Sequence, residues 1–475
     1  MLLSNGCGRH PFTQQLLLLS TSARLLKTVK FKPKIAKTRP LKTPSMVALD
    51  HFDFYYGPMF GNQWPSIRLG LLTPNKYVAI VNTLSQSWQS NDTLLNDLGT
   101  IDLLPRLIGT TASERIEKKR QKIEQMKREA ETSPEEEELT QQQHQQTRPE
   151  LDLESRSNPA SLVEFQPSPG ARGLGEIQMG RDVARQSKDF EVTGFEGMDS
   201  ELKTRPHFLY YPRELRVRTY DRACLVDYPP PLRDAQKVPG WWLLDGGSLV
   251  PVLALGLEEG DRVLDVCAAP GGKSLAILLT GLPGKLVCND FKLSRLGQLK
   301  RALATYIPSE IASDVGEKVI LKNKDASNVQ TWDEIKAYDK VLADVPCTSD
   351  RLSVAQDDGN LFSGENNNLR MSLPEKQTKI LVNALRATRV GGSVVYSTCT
   401  LSPAQNEAVV ENAAAIAKER FGIEVVEESL STLREHLIAT GLFRFSPSCQ
   451  RGLLVLPFLP SNFGPMYVCK LTRLH

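Results

Sequence analysis

The chain has 475 residues, 40% of them hydrophobic, so it can bury a large core and is expected to contain two or three regions. Its longest apolar block near the N-terminus, residues 16–19, is much shorter than a membrane span, and no membrane-spanning segment is predicted. The eight cysteines form no Cys-x-x-Cys pair and the six histidines are scattered, which argues against a zinc or disulfide framework and predicts no metal site.

The first 44 residues have the composition of a targeting segment. They are rich in Arg, Lys, Ser, Thr and Leu, and the first acidic residue of the chain is Asp50. This pattern is typical of a mitochondrial transit peptide and predicts a matrix protein; a disordered basic tail that binds nucleic acid is the alternative. The formal net charge of +3 hides an asymmetry, because residues 50–475 contain 49 basic and 55 acidic residues. The mature chain is therefore expected to bind RNA through a local patch or with a basic partner.

Three segments separate this leader from the main domain. Residues 45–111 are predicted to form a small ordered segment, in which the aromatic stretch 52–72 precedes a helix through residues 77–84. Residues 112–205 mix opposite charges at helical spacing and then become polar, which predicts a solvated helix followed by a disordered linker. Residues 206–250 are predicted to be an adaptor of short strands and turns.

The main domain, residues 251–475, alternates strands with helices. Doubly wound α/β domains, with a parallel sheet and helices on both faces, produce this alternation. The helix predicted at 374–389 is closed by glycines at 391–392, and a capping box at 402–405 begins the next helix. The predicted strands are residues 262–267, 285–290, 318–323, 339–344 and 393–398.

The first of these strands ends in a glycine turn. The sequence RVLDVCAAPGGKS at 262–274 joins a buried-strand pattern to a proline and two glycines, which let backbone N–H groups approach a ligand closely. It lacks the dinucleotide fingerprint, and the P-loop pattern fails because Cys267 stands where a glycine is needed. Taken alone, such a turn is more often a helix cap without a ligand.

Acidic residues follow the next three strands. Ligands of parallel sheets bind at the carboxyl ends of strands, where Asp290, Asp325 and Asp344 are predicted to lie. Each alone is more often an ordinary loop residue, but their recurrence favours a nucleoside-containing cofactor. Asp290, about 20 residues beyond the glycine turn, is placed to accept hydrogen bonds from a ribose.

Three further side chains belong to the same predicted edge. Lys273 falls in the first turn of a helix, where a cation opposes the helix dipole, so a contact with a ligand or substrate is favoured over a surface role. Cys347 and Cys399 follow the fourth and fifth strands. Either alone would be predicted to be a small buried hydrophobe, but together they predict a reactive pair beside the cofactor site.

Five motifs in fixed order resemble one enzyme family. They are AAPGGK at 268–273, DVPC at 344–347, QTKIL at 377–381, GGSVVYSTCT at 391–400 and NE at 406–407. They are similar to the Sun-domain RNA cytosine-5 methyltransferases, which use S-adenosylmethionine and have a Rossmann-like class I fold. The resemblance implies a methyltransferase domain at 251–475.

Upstream motifs narrow this resemblance. FGNQWPSIRLGLL at 60–72, YVAIVN at 77–82 and DGGSLVPVLAL at 245–255, with the basic leader, are similar to the mitochondrial member that modifies small-subunit ribosomal RNA. The resemblance to that member implies that this chain acts in mitoribosome assembly. It also implies a hetero-complex with a helical-repeat protein of the mitochondrial termination-factor family.

The resemblance also implies residue roles. Cytosine C5 is a poor nucleophile, so a thiolate must first add to C6; in the family the Thr-Cys cysteine, here Cys399, does this. Asp344 would hydrogen-bond to, or protonate, the edge of the cytosine ring and so relieve the charge that develops during attack. Cys347 would assist the elimination that frees the product, and Lys273 would contact the target base. The implied cofactor-binding residues are Gly271, Gly272, Lys273, Asp290, Arg295, Asp325, Ala326 and Asp344.

Other functions stay open at this point. Transfer RNA is a possible substrate, a DNA enzyme would be expected to attack with its Pro-Cys cysteine, and the chain could act mainly as an assembly scaffold. The sequence TSDR at 348–351 departs from the Ser-Gly-containing run of many relatives. That departure, together with the Asn-rich loop 357–369, leaves the RNA contacts open.

Overall fold

The computed structural model describes residues 42–108, 202–206, 209–224 and 226–475. Nearly all of the predicted transit segment, and nearly all of the predicted charged helix and linker, lies outside these ranges. The described residues from 43 onwards belong to one compact unit. Within the part of the chain that is described, no helix has both the length and the apolar character needed to cross a membrane.

Strands and helices alternate through the main domain. The strands of the described ranges are β1 (Tyr77–Val81), β2 (Ile101–Asp102), β3 (Thr204–Pro206), β4 (Val217–Thr219), β5 (Trp241–Asp245), β6 (Arg262–Asp265), β7 (Lys285–Asn289), β8 (Val319–Lys322), β9 (Tyr338–Asp344), β10 (Thr388–Thr398), β11 (Val425–Ser429), β12 (Leu453–Val455) and β13 (Met466–Arg473). The α-helices are α1 (Pro44–Phe60), α2 (Trp64–Leu72), α3 (Trp88–Asp97), α4 (Leu103–Ile108), α5 (Gly246–Ala254), α6 (Gly272–Leu279), α7 (Leu293–Tyr306), α8 (Ala312–Lys318), α9 (Asp350–Ala355), α10 (Asn367–Met371), α11 (Leu373–Ala387), α12 (Glu407–Phe421) and α13 (Ser431–Ala439).

The large sheet has the order β3-β11-β13-β10-β9-β6-β7-β8, with β12 paired to β13. Strands β6 to β10 pair in parallel, and they are the five strands predicted from the sequence. No pattern predicted β13, which runs antiparallel between β10 and β11. The predicted Rossmann-like α/β sheet is therefore confirmed, with an antiparallel strand inserted beside β10.

Both faces of this sheet are buried. Successive residues of a strand point to opposite faces, so Val263 and Leu264 of β6 belong to different hydrophobic clusters. The cluster of Val263 includes α5, α6 and α7, and the cluster of Leu264 includes α1, α11 and α12. Helices thus cover both faces, as predicted, and the N-terminal helix α1 is part of the domain core.

A second, antiparallel sheet joins the N-terminal segment to the adaptor. Its order is β2-β4-β1-β5, and Ile80 of β1 lies opposite both Val217 of β4 and Trp242 of β5. Strands from before and after the region 112–205 therefore form one sheet.

The helix predicted through residues 77–84 is wrong, because this stretch contains the strand β1. Val78 and Ile80 pack into the main core, while Ala79 and Val81 pack into a cluster with Trp241. A strand buried on both faces shows no alternation of apolar and polar residues, so its period cannot be read from the sequence.

Two predicted helix ends are also wrong. Helix α11 ends at Ala387, and the glycines at 391–392 lie inside β10, where the pairing register shifts. A Cβ on Gly392 would lie 2.7 Å from the Asp339 carbonyl oxygen, so glycine allows close approach to β9. The predicted capping box is a 3₁₀ turn at Pro403–Gln405, and α12 begins only at Glu407. The Gln405 side chain accepts a hydrogen bond from the Thr348 backbone N–H instead of capping the helix.

Candidate active site at the carboxyl edge of the sheet

The turn between β6 and α6 brings backbone groups to the edge of the sheet. Gly271 has a φ of 118°, and a Cβ there would lie 2.8 Å from Leu299 Cδ1, so glycine is needed for both conformation and space. The first backbone N–H groups of a helix have no acceptor within the helix. At α6 they are available to a polar or anionic ligand.

Asp265, the last residue of β6, is a buried carboxylic acid that no motif singled out. Its Oδ2 accepts a 2.7 Å hydrogen bond from Ser274 Oγ, while Oδ1 has no hydrogen-bond partner among the described residues. Burial raises the pKa of Asp265 to about 7. The sequence signal that could have identified it is an acid at the end of an otherwise apolar run.

Asp290 follows β7 and keeps one buried carboxylate oxygen unsatisfied. Its Oδ1 accepts a 2.9 Å hydrogen bond from the Lys292 backbone, but Oδ2 has no hydrogen-bond partner within the described ranges. Arg295 Nη1 lies 3.6 Å from that oxygen, and Arg295 also donates to the Ala269 carbonyl in the glycine turn. An orphaned carboxylate oxygen beside a backbone turn fits a diol such as a ribose.

Asp325 and Ala326 follow the neighbouring strand β8. Asp325 Oδ1 accepts hydrogen bonds from the backbone N and the Oγ of Ser327, at 2.9 and 2.6 Å. Ala326 is buried, and its carbonyl accepts a 2.8 Å hydrogen bond from Asn383 Nδ2. These contacts shape the loop, and an adenine contact stays a prediction.

Lys273 and Asp344 form an ion pair across the edge of the sheet. Lys273 Nζ lies 2.7 Å from Asp344 Oδ2, and Ser397 Oγ donates a 2.7 Å hydrogen bond to Asp344 Oδ1. Burial favours a lower pKa for Lys273, but the Asp344 carboxylate outweighs it and raises the pKa above its ordinary value. A protonated lysine and a fixed carboxylate thus stand together at the ends of α6 and β9.

The two predicted cysteines are in contact. Cys347 Sγ lies 3.2 Å from Cys399 Sγ, and the Cys399 backbone N–H donates to Cys347 Sγ at 3.3 Å. The hydrogen bond between the sulfurs raises the pKa of Cys347, together with burial, and lowers the pKa of Cys399. The Ser349 hydroxyl and the Lys273 charge lower the pKa of Cys399 further, against the effect of burial. Cys399 is therefore the sulfur that is favoured as a thiolate.

The residues of the TSDR departure hold this pair in place. Asp350 has no solvent exposure and accepts hydrogen bonds from Thr348 Oγ1 and Thr400 Oγ1, each 2.8 Å. It also accepts from the Leu401 backbone at 2.7 Å and from Tyr56 Oη, on α1, at 2.9 Å. Asp350 thereby links the residues next to each cysteine to the N-terminal helix.

Arg351 ties the same loop to two distant turns. Its guanidinium donates to the carbonyl oxygens of Gly70 and Thr73, which belong to and follow α2, at 2.7 and 2.6 Å. It also donates to the Gly464 carbonyl at 2.7 Å and to Asn462 Oδ1 at 3.1 Å. Asp350 and Arg351 thus join this loop to the N-terminal helices α1 and α2.

Other polar residues around the cysteines were not predicted to have a role at the site. Gln405 Oε1 accepts hydrogen bonds from the Thr348 backbone and from Gln377 Nε2, each 3.1 Å. Gln377 Nε2 also donates to the Pro346 carbonyl at 2.8 Å. Polar residues flanking both cysteines were the available sequence signal, but their partners lie far away in the chain. The residues that support the site and that sequence patterns did not assign to it are Tyr56, Asp265, Ser349, Asp350, Ser397 and Gln405.

The matching family model and two similar proteins are all named as rRNA methyltransferases. A family model described as 16S rRNA methyltransferase RsmB/F matches residues 252–451. The Caenorhabditis elegans protein named 5-cytosine rRNA methyltransferase nsun-4 is 58% identical over 449 residues, covering 94% of this chain and 96% of that protein. The Mus musculus 5-cytosine rRNA methyltransferase NSUN4 is 34% identical over 463 residues, covering 97% of each chain.

A relative that matches a shorter part of the chain is named for a different RNA. The Danio rerio protein named tRNA (cytosine(34)-C(5))-methyltransferase, mitochondrial, is 38% identical over 261 residues, covering 53% of this chain and 67% of that protein. The two rRNA methyltransferases, in contrast, match nearly end to end and include the N-terminal helices. The chain therefore belongs to the Sun-domain family of S-adenosylmethionine-dependent RNA cytosine-5 methyltransferases, in the group of 5-cytosine rRNA methyltransferases named NSUN4.

Proposed function

We propose that this chain forms 5-methylcytosine in small-subunit ribosomal RNA in the mitochondrial matrix, with Cys399 as the nucleophile. The observation that carries the proposal is the pair of sulfurs 3.2 Å apart at the ends of two adjacent strands. The lowered pKa of Cys399 supports it as the nucleophile, because a thiolate is the reactive form of cysteine. The different role of Cys347 follows from the family resemblance.

The reaction is a covalent activation of the base. The Cys399 thiolate adds to cytosine C6, and the new C–S bond gives C5 the character of an enamine carbon. S-adenosylmethionine, when bound, supplies an electrophilic methyl group. The C5 proton then passes to solvent, a transfer that Cys347 assists, and the electron pair it leaves behind re-forms the C5–C6 double bond. The C6–S bond breaks and its electron pair returns to the Cys399 thiolate. Because a stacked base cannot reach this edge, the cytosine must be flipped out or single-stranded.

Asp344 and Lys273 act on the ring edge. Ser397 and Lys273 hold the Asp344 carboxylate from two sides, so its position is set before the base arrives. We assign to Asp344 the hydrogen bond or proton that relieves charge developing during attack. Lys273 would contact both the base and the cofactor, since it lies between the glycine turn and Asp344.

The cofactor would lie along the edge from the glycine turn to β8. Residues 271–273 would surround its methionine portion, and Asp290 would accept hydrogen bonds from the ribose through its unsatisfied Oδ2. Arg295 would assist beside Asp290, and Asp325 with Ala326 would face the adenine. Asp344, at the next strand end, completes the cofactor-binding set.

The experiment that tests the substrate is a map of 5-methylcytosine in mitochondrial RNA from cells that lack the protein. We expect one site in small-subunit ribosomal RNA to disappear, and to return with the wild-type chain but not with Cys399→Ala. Loss of a transfer RNA site instead would identify transfer RNA as the substrate. Normal methylation with defective small subunits would identify a scaffold.

A basic protein partner would supply RNA affinity. The support for it is the acidic balance of residues 50–475, with 49 basic and 55 acidic residues. We propose a helical-repeat protein of the mitochondrial termination-factor family, with the complex acting in mitoribosome assembly. We expect the mature chain alone to bind its RNA at least about tenfold more weakly than the complex, with a smaller salt dependence. Equal affinity in filter binding would overturn the partner proposal.

A further inference from the structure

Ser349 places a hydroxyl group against both sulfurs of the active-site pair. In the structure the Cys399 thiol donates a 3.2 Å hydrogen bond to Ser349 Oγ, which also lies 3.8 Å from Cys347 Sγ. Once Cys399 loses its proton, the serine hydroxyl is the group that donates across the same contact. The residue belongs to the stretch that departs from the family pattern, so no motif draws attention to it. A hydroxyl at these distances can donate to either sulfur, whichever carries negative charge.

The backbone of Ser349 is held in an unusual conformation. Its φ of 49° and ψ of 66° lie in the left-handed region, which side chains other than glycine rarely adopt. A serine at the start of a helix commonly accepts a hydrogen bond from the helix backbone, yet Ser349 precedes α9 and makes no such bond. Its hydroxyl is therefore left for the cysteines.

Its neighbours maintain this conformation. On one side, Thr348 Oγ1 donates to Asp350 Oδ1 and lies 2.9 Å from Thr400 Oγ1. On the other side, Asp350 and Arg351 are anchored to the N-terminal helices. A conformation that costs free energy persists only when its surroundings impose it, and here they do so on both sides.

We propose that Ser349 is a catalytic residue whose hydroxyl stabilises the Cys399 thiolate before attack on the base. This inference rests on the proposed role of Cys399 as nucleophile. When the thiolate forms its bond to C6 it loses its charge, and the hydroxyl becomes free to donate to Cys347. Ser349 keeps its own proton throughout and changes only the sulfur to which it donates.

The other groups facing Cys399 are few. Cys347 lies on the loop after β9, Asp344 at the end of β9, and Lys273 on α6. Asp344 opposes the thiolate, while Lys273 favours it but is paired with Asp344. Ser349 and Cys347 are therefore the groups that can donate directly to the Cys399 thiolate. Removing the serine hydroxyl should raise the pKa of Cys399.

The test is the pH dependence of Cys399 alkylation in the full mature chain. Iodoacetamide reacts with the thiolate, forming a C–S bond and releasing iodide, and peptide mass spectrometry reports Cys399 separately from the other cysteines. We expect Ser349→Ala and Ser349→Gly to raise the midpoint, the pH at which Cys399 is alkylated at half its maximal rate, by about one unit. The reason is that a hydrogen bond to a charged group is lost. Adduct formation with RNA should slow by roughly tenfold at neutral pH.

Two variants separate a hydrogen-bonding role of Ser349 from a purely structural one. Ser349→Gly relieves the backbone conformation, so a purely conformational role for Ser349 predicts an unchanged midpoint in this variant. Ser353→Ala removes a hydroxyl that donates to the Thr348 carbonyl, at 2.6 Å, and is not expected to move the midpoint. An unchanged midpoint in Ser349→Gly, or an equal rise in Ser353→Ala, overturns the inference.

Formation of the RNA adduct, measured beside alkylation, keeps the two proposals distinguishable. If Cys399→Ala still formed an adduct with RNA, the proposed nucleophile would be wrong whatever the alkylation midpoints showed. If Cys399 proved to be the nucleophile and its midpoint ignored Ser349, only the role of the serine would fall.

Discussion

Replacing Cys399 by alanine is expected to abolish methyl transfer and the covalent enzyme–RNA adduct together. Without the thiolate the base cannot be activated at C6, and we expect methyl incorporation to fall by at least about a thousandfold. Transfer of a labelled methyl group to the RNA measures the first effect. Denaturing electrophoresis of protein with labelled RNA measures the second, because only a covalent complex survives it.

Replacing Cys347 by alanine is expected to separate these two readouts. The adduct should form, since Cys399 is intact, and then accumulate, since the proposed elimination loses its assistance. It should also form more slowly than in the wild type, because Cys399 loses the Cys347 hydrogen bond that lowers its pKa. The double variant serves as the control and should form no adduct.

The opposite pattern would exchange the two roles. An adduct kept in Cys399→Ala and lost in Cys347→Ala would make the Pro-Cys residue the nucleophile, as expected of a DNA cytosine methyltransferase. Because the two sulfurs are 3.2 Å apart, distance alone does not distinguish them. The difference comes from the groups around each sulfur. The Ser349 hydroxyl is nearer to Cys399 Sγ, at 3.2 Å, than to Cys347 Sγ, at 3.8 Å, and the Lys273 charge lowers the pKa of Cys399.

The largest stability effect is expected from Arg351→Met. This substitution keeps much of the aliphatic stem but removes the donors to the Gly70, Thr73 and Gly464 carbonyl oxygens. Polar groups left without partners in a partly buried site carry a desolvation cost, so we expect the free energy of unfolding to fall by about 2–4 kcal/mol. Urea unfolding followed by circular dichroism measures it.

An exposed arginine provides the matched control. Arg213→Met makes the same chemical change at an exposed position and should alter the free energy of unfolding by less than about 0.5 kcal/mol. Since Arg351 also anchors the loop that carries Cys347, its variant should form the RNA adduct more slowly even at low temperature, where it stays folded. Equal unfolding curves for the two variants would show that the N-terminal helices are not held by this side chain.

The strand pattern by itself determined the fold class and the position of the site. The runs at 262–267, 285–290 and 339–344 are apolar enough to read as buried strands, and connections between parallel strands nearly always have one hand. Their carboxyl ends must then meet at one edge of the sheet. For that reason the order of residues along the chain is enough to group Asp290, Asp344 and the residues after β9 and β10.

The tertiary structure alone decided how this edge is supported. Tyr56 and Asp350 are 294 positions apart, and Arg351 reaches back to turns at residues 70–73. No local period encodes such pairs, because each partner looks like an ordinary polar residue within its own segment. The same limit explains the wrong helix at 77–84, where burial on both faces erased the strand alternation. Local patterns specify which chemistry reaches the edge of the sheet, and only long-range packing specifies the hydrogen bonds that hold it there.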